Sequence, residues 1–154
     1  TFPKLVAYAP YINSVRWMLI RFAIAGHYFK TKNYNAALTI INELIDAKDI
    51  ELRKDIQAHT RMMYLILHFE LKNTLILESI TRSVKRYLQQ NENYFVTERV
   101  FIKHFNKLIY STNSAEADKI INELKVEVVE IFESNINEKI AFTTMPLSHW
   151  LDLY

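Results

Sequence analysis

Six basic side chains fall close together on two consecutive predicted helices, and they are the residues best suited to bind a charged ligand. This basic face consists of Arg82, Lys85, Arg86, Arg99, Lys103 and Lys107. Arg99, Lys103 and Lys107 recur every four residues, so they share one side of a helix. Tyr87 and Tyr94 are nearby, and interleaved aromatic rings and cations suit single-stranded nucleic acid. Two interpretations follow: the basic face binds an anionic ligand or nucleic acid, or it pairs with the acidic sixth helix, predicted at about residues 114–133, or with another chain.

The other reactive side chains do not form a pattern typical of catalysis. The chain has five histidines: His27, His59, His68, His104 and His149. None has the i, i+4 spacing with an adjacent glutamate that a helical zinc site uses. The absence of cysteine excludes thiolate chemistry, and a single glycine excludes a glycine-rich phosphate loop. Carboxylates such as Glu127 and Glu130 lie in a charged row, which is typical of a solvated surface. We therefore predict a non-enzymatic protein without cofactor or metal.

Composition indicates one helical domain. The 154 residues are 50% hydrophobic and 23% charged, which is ordinary for a globular chain with one core. One glycine and three prolines are too few turn-forming residues for a sheet protein, so an all-α fold is expected. Since no apolar run reaches about eighteen residues, no membrane span is predicted. No secretory signal is visible, and a cytoplasmic location is expected.

Charge is unevenly distributed along the chain. The formal net charge is only +2, so the field of the whole protein is weak. Residues 1–42 contain basic side chains and no acid, whereas residues 111–154 contain eight acids and three lysines. We expect the molecule to be dipolar.

These side chains must be positioned by helices, because apolar residues recur at spacings of three and four. The predicted helical hairpins span about residues 13–47, 50–90 and 94–133, followed by a C-terminal segment at 135–154. Asn13 or Ser14, Asp49 and Ser114 are the expected N-caps. The lone Gly26 weakens its helix, so a packing or access reason is expected there.

A period of forty residues links the three hairpins. The run Ile40-Ile41-Asn42-Glu43-Leu44 recurs unchanged at residues 120–124, and Ile80 and Val84 lie halfway between. Turn asparagines share the period, at Asn33, Asn73 and Asn113. A fixed period of about 20–50 residues is typical of stacked repeats. Ile40, Ile80 and Ile120 are therefore expected at equivalent buried positions.

The first hairpin resembles the tetratricopeptide helical-repeat family. The resemblance rests on Ile24-Ala25-x-x-Tyr28 followed by Tyr34, Ala37 and Ile41, and covers about residues 18–48. The second and third hairpins match through the period alone, which exceeds the family's usual thirty-four. Asp49 also replaces the family's closing proline. The resemblance implies a right-handed stack of three antiparallel hairpins.

The resemblance also implies a concave groove lined by the first helix of each hairpin. Its expected lining includes Gly26, Lys30, His59, Met62, Ile66, Glu70, Arg99, Asn106 and Tyr110. Many lining positions are apolar, so the groove either binds an apolar partner or is filled by neighbouring elements. The predicted function is a protein–protein interaction scaffold with a protein or peptide partner. The alternative is anionic-ligand or nucleic-acid binding through the basic face.

The C-terminal segment is predicted to cover the last hairpin. The sixth helix has an apolar stripe, and no fourth hairpin follows to bury it. A stack of repeats must cover its terminal face. Residues 135–154 are therefore expected to fold back as a cap, with Trp150 at least partly buried.

Overall fold

The computed structural model describes residues 4, 6–11, 13–47, 53–90 and 95–154, and this part of the chain is helical with no strand. Within these ranges, a short 3-10 turn at Ala9–Tyr11 precedes eight α-helices. They are α1 (Ser14–Lys30), α2 (Tyr34–Asp46), α3 (Lys54–Glu70), α4 (Thr74–Gln89), α5 (Val96–Leu108), α6 (Ser114–Ser134), α7 (Ile136–Ala141) and α8 (Leu147–Leu151). The expected all-α class is confirmed.

The chain divides into two compact units, Thr1–Leu67 and His68–Tyr154. The division falls within α3. The single helical-repeat domain and the stack of three hairpins stay predictions.

Asparagine side chains cap the N-termini of four described helices, α1, α2, α6 and α7. Asn13 Oδ1 accepts a hydrogen bond from the Val15 amide at 2.8 Å, which confirms the cap expected for α1. In α6 the cap is Asn113, whose Oδ1 accepts from the Glu116 amide at 2.9 Å. Ser114, the expected cap, is instead the first helical residue. The expected cap Asp49 lies outside the described residues.

The first unit is built around the packing of α1 on α2. The buried side chains of these two helices include Phe22, Phe29, Ile41 and Leu44. Gly26 is buried in α1, yet a methyl group at its Cα would meet no described atom within 4 Å. Among the described residues, no atom therefore accounts for the packing reason expected at Gly26.

One turn geometry occurs twice, forty residues apart. The Asn33 amide donates to Tyr28 O at 2.8 Å, and the Asn73 amide donates to His68 O at 3.0 Å. Lys32 and Lys72 occupy the left-handed region, with φ of 59° and 60°. This pattern is a Schellman motif, which ends a helix at a left-handed residue usually occupied by glycine. The turn before α6 has different bonds, because five residues separate α5 from α6.

The forty-residue period also recurs in burial. Ile41, Thr81 and Ile121 are each at most 1% exposed. Ile40 and Ile120 are buried as expected, but Ile80 is only half-buried. The expectation for Ile80 is wrong because the buried stripe of α4 passes through the neighbouring Thr81 instead.

In the second unit, α5 packs against both α4 and α6, and α6 also contacts α7 and α8. Trp150 of α8 is fully buried, which confirms the burial expected for it. Its ring lies 6.5 Å from Phe101 and 6.4 Å from Phe105, between centroids. Its Nε1 donates to Glu70 Oε1 at 2.7 Å. The C-terminal segment is therefore joined to helices distant from it in sequence.

A buried carboxylate fixes the N-terminus of α5. Glu138 of α7 is 4% exposed. Its Oε1 accepts from the Val96 amide at 2.8 Å, and its Oε2 accepts from the amide and the hydroxyl of Thr97 at 3.2 and 2.8 Å. The first amides of a helix lack intrahelical partners, and negative charge is favoured beside them. Glu138 thus holds α7 against the start of α5.

Candidate functional site

The predicted groove residues of the first unit are mostly buried. His59, Met62 and Ile66 are at most 1% exposed, and Gly26 is buried as well. Burial lowers the pKa of His59 to about 4, so its imidazole is neutral near pH 7. Lys30 is exposed. Among these five residues, only Lys30 offers a side chain to a partner without rearrangement.

The predicted groove residues of the second unit have different surroundings. Glu70 is half-buried and accepts hydrogen bonds from Trp150 and from the Tyr154 hydroxyl, the latter at 2.8 Å. The other three predicted members are exposed: Arg99, Asn106 and Tyr110. Glu70 is therefore engaged by the C-terminal segment. The groove as a whole stays a prediction.

All six side chains of the basic face are exposed on α4 and α5, which pack against each other. Arg82 lies 3.6 Å from Glu78 within α4. Lys103 Nζ lies 3.5 Å from Glu127 Oε1 of α6, so one cation pairs with the acidic helix, as the second interpretation expected. Tyr87 is half-buried, and Tyr94 lies outside the described residues.

The outward side of α6 combines carboxylates with exposed valines. We call this the acidic face, and it consists of Glu123, Val126, Val129, Glu130 and Glu133. These positions are three or four residues apart and share one side of the helix. Val126 is 57% exposed and Val129 46% exposed. The acidic face is therefore partly apolar.

Two depressions border the acidic face. A cleft of about 320 Å³ is lined by Val96, Val100, Glu127, Glu130, Ile131 and Ser134. A second, of about 530 Å³, is lined by Lys119, Asn122, Glu123, Val126 and Glu127. Each includes valine and glutamate side chains in its lining. Glu127 lines both depressions.

Two side chains of α5 lie close to Glu127. His104 is 2% exposed, and its Nε2 lies 3.2 Å from Glu127 Oε1. The other ring nitrogen, Nδ1, lies 2.9 Å from the carbonyl oxygen of Val100. Lys103 Nζ lies 3.5 Å from the same oxygen, so two side chains of α5 approach a carboxylate that lines both depressions. A carboxylate beside exposed apolar side chains suits a ligand that is both cationic and apolar.

No local motif pointed to the contacts of His104 or Glu138. Residues 104 and 127 belong to different helices, and residues 96 and 138 are forty-two positions apart. Both contacts depend on how helices pack, which helical spacing alone does not encode.

The described residues contain no group of three or more His, Asp or Glu side chains able to hold a metal ion. Within the same ranges, no helix is both long enough and apolar enough to cross a membrane.

Comparison with known protein families, with curated proteins and with solved structures finds no match to this chain. The resemblance of the first hairpin to tetratricopeptide repeats stays a prediction.

Proposed function

We propose that this chain is a non-enzymatic protein-binding module of helical-repeat type, whose acidic face receives a basic amphipathic helix of a partner. The observation that carries the proposal is the exposure of Val126 and Val129 between carboxylates on α6.

The apolar part of the proposed site supplies affinity. Helix α6 already buries Ile121, Leu124 and Val128 on its inner side, so its exposed valines are additional to the core. Burying one valine side chain contributes about 1.5–3 kcal/mol. The walls of the adjoining cleft add Val100 and Ile131. Grouped exposed apolar side chains with a polar rim are typical of interaction sites.

The charged part of the proposed site supplies selectivity. Glu123, Glu130 and Glu133 surround the valines, and Glu127 forms an ion pair with Lys103. A side chain that an ion pair already restrains loses less conformational freedom on binding. Charge complementarity also raises association rates and disfavours acidic partners.

The length of the proposed site favours a helical partner. Its lining extends from Lys119 to Ser134. At about 1.5 Å per residue, that distance is roughly 23 Å, or about four helical turns. An amphipathic helix placed along such a groove contacts it through side chains spaced three and four residues apart.

The helical-repeat part of the proposal is supported by local geometry. Helices α2, α4 and α6 start at residues 34, 74 and 114, each after an asparagine. The sequence motif and the helix starts thus recur at the same interval of forty residues. Such a shared interval is typical of repeat proteins, many of which bind other proteins.

A labelled peptide tests the proposed site. We would measure fluorescence anisotropy with an amphipathic peptide of leucine and lysine, about sixteen residues long to match four turns. Val126→Asp and Glu130→Lys should each weaken its binding about tenfold, whereas Asp46→Lys, exposed on α2, should not. A scrambled peptide of equal composition is the second control. Equal binding of both peptides, or no effect of Val126→Asp, would overturn the proposal.

A second candidate function is anionic-ligand or nucleic-acid binding through the basic face, favoured by the exposure of all six of its cations. Affinity for a thymidine oligonucleotide should then fall steeply with salt, because each phosphate contact contributes about 0.7 to the log–log slope for single strands. A flat response or no binding would remove this candidate.

A further inference from the structure

We infer that the acidic face of one copy of this chain binds the basic face of a second copy. The inference rests on the proposed function, because the acidic face is the receiving surface in both. The partner is a second copy of the chain, whose basic face has the chemistry that the acidic face requires.

The charges of the two faces are opposite and similar in size. Helices α4 and α5 carry the six cations of the basic face and two acids, Glu78 and Glu98, the latter 1% exposed. Helix α6 carries six acids and two lysines. Counted this way, α4 with α5 has a net charge of +4 and α6 has a net charge of −4.

The basic face already pairs with α6 at one position within a single copy. Lys103 Nζ of α5 lies 3.5 Å from Glu127 Oε1 of α6. Helix α5 packs against both α4 and α6, whereas Lys85 and Arg86 lie on α4. A second copy can bring these two cations onto the acidic face.

The basic face also has an apolar component. Leu75 is 99% exposed at the start of α4. Arg82 and Arg86 follow it at i+7 and i+11, which places all three on one side of the helix. The outward side of α4 is thus a basic, partly apolar helix surface, the class of partner proposed for the acidic face. Leu75 and the aliphatic stems of the arginines can cover Val126 and Val129.

The low net charge of the chain removes a barrier to association. At a formal net charge of +2, two copies repel each other only weakly. Each copy presents one basic and one acidic face, so pairing can close as a two-fold dimer or continue as a chain.

Sedimentation velocity of the chain at low and high ionic strength tests the inference. We expect association at about 0.02 M salt and dissociation at about 0.3 M, where exposed charges are screened over a shorter distance. Two double variants each remove one face: Lys85→Glu with Arg86→Glu, and Glu130→Lys with Glu133→Lys. Each alone should be monomeric at low salt, and their equimolar mixture should associate again. The pair Arg16→Glu with Lys30→Glu, exposed on α1, is the control of matched charge and should associate like the unaltered chain.

Several outcomes would overturn the inference. An unaltered chain that stays monomeric at low salt would do so, as would double variants that associate like it or a mixture that stays monomeric. Thermal melts of each variant verify that it is folded. The peptide assay separates the two proposals: if the amphipathic peptide binds a monomeric chain, self-association fails and the proposed function stands. If the chain associates while the peptide neither binds nor competes, the inference stands and the general basic-helix site fails.

Discussion

Replacing Glu138 should weaken the second unit, because this carboxylate satisfies the start of α5. It accepts three hydrogen bonds from Val96 and Thr97 and is 4% exposed. We expect Glu138→Ala to lower the free energy of unfolding by about 3 kcal/mol. A hydrogen bond to a charged group contributes about 1.5–3 kcal/mol, and the amide of fully buried Thr97 is left without this partner. Negative charge beside a helix N-terminus adds about 0.3–1 kcal/mol.

Two further variants separate the charge from the hydrogen bonds. Glu138→Gln keeps the size and one acceptor oxygen but turns an amide nitrogen toward a donor, so a smaller loss of about 1–2 kcal/mol is expected. Thr97→Val removes only the hydroxyl bond and should cost about 1 kcal/mol. Combined with Glu138→Ala, Thr97→Val should add little, because residues that share a bond are not additive.

Urea denaturation followed by circular dichroism measures these losses. Glu130→Ala, which removes an exposed carboxylate, is the matched control and should leave the midpoint almost unchanged. The reasoning would be refuted if Glu138→Ala lost no more stability than this control. It would also be refuted if Thr97→Val cost the same with and without Glu138.

Four other changes test particular features of the structure. Gly26→Ala should raise the free energy of unfolding by about 0.5–1 kcal/mol, since alanine favours helices and its methyl group meets no described atom. A lower free energy of unfolding in urea titrations would contradict this prediction. Lys32→Gly and Lys72→Gly should each raise the melting temperature, because glycine adopts the left-handed turn without strain; the same change at exposed Lys30, inside α1, should lower it. The free energy of unfolding should fall by up to about 3 kcal/mol as the pH drops from about 6.5 to 4, because the unfolded chain protonates His59 in this range while the folded chain does not. His59→Gln should make the free energy of unfolding less dependent on pH, and an unchanged dependence would contradict the burial argument. Deleting residues 145–154 removes buried Trp150, so calorimetry should show a lower melting temperature or sedimentation should show association. If neither change is observed, the segment is dispensable for the core.

The amino-acid sequence by itself determined the local structure of this protein. The helices follow from apolar spacing, and the caps at Asn13 and Asn113 follow from a side chain that accepts a bond from an amide two or three residues later. Such interactions involve neighbours in the chain, so they are present in the pattern of residues. The one misplaced cap, Ser114 for Asn113, reflects two adjacent residues that both favour that position.

The forty-residue period was also predictable, though not its detail. Asparagines at 33, 73 and 113 precede α2, α4 and α6 as the sequence indicates. The half-buried position of Ile80 could not be predicted. Ile80 and Thr81 are adjacent in α4, and the packing of the helix decides which of the two faces the interior.

Only the tertiary structure decided which charged side chains have a structural role. Glu138 and Glu130 look alike in the sequence, yet one is buried against α5 and the other is exposed beside a cleft. His104 likewise gains its carboxylate partner because α5 and α6 pack together. The free energy of a buried charge depends on the groups brought around it by distant segments, and a helical period specifies which side of a helix is apolar but not which helix covers it.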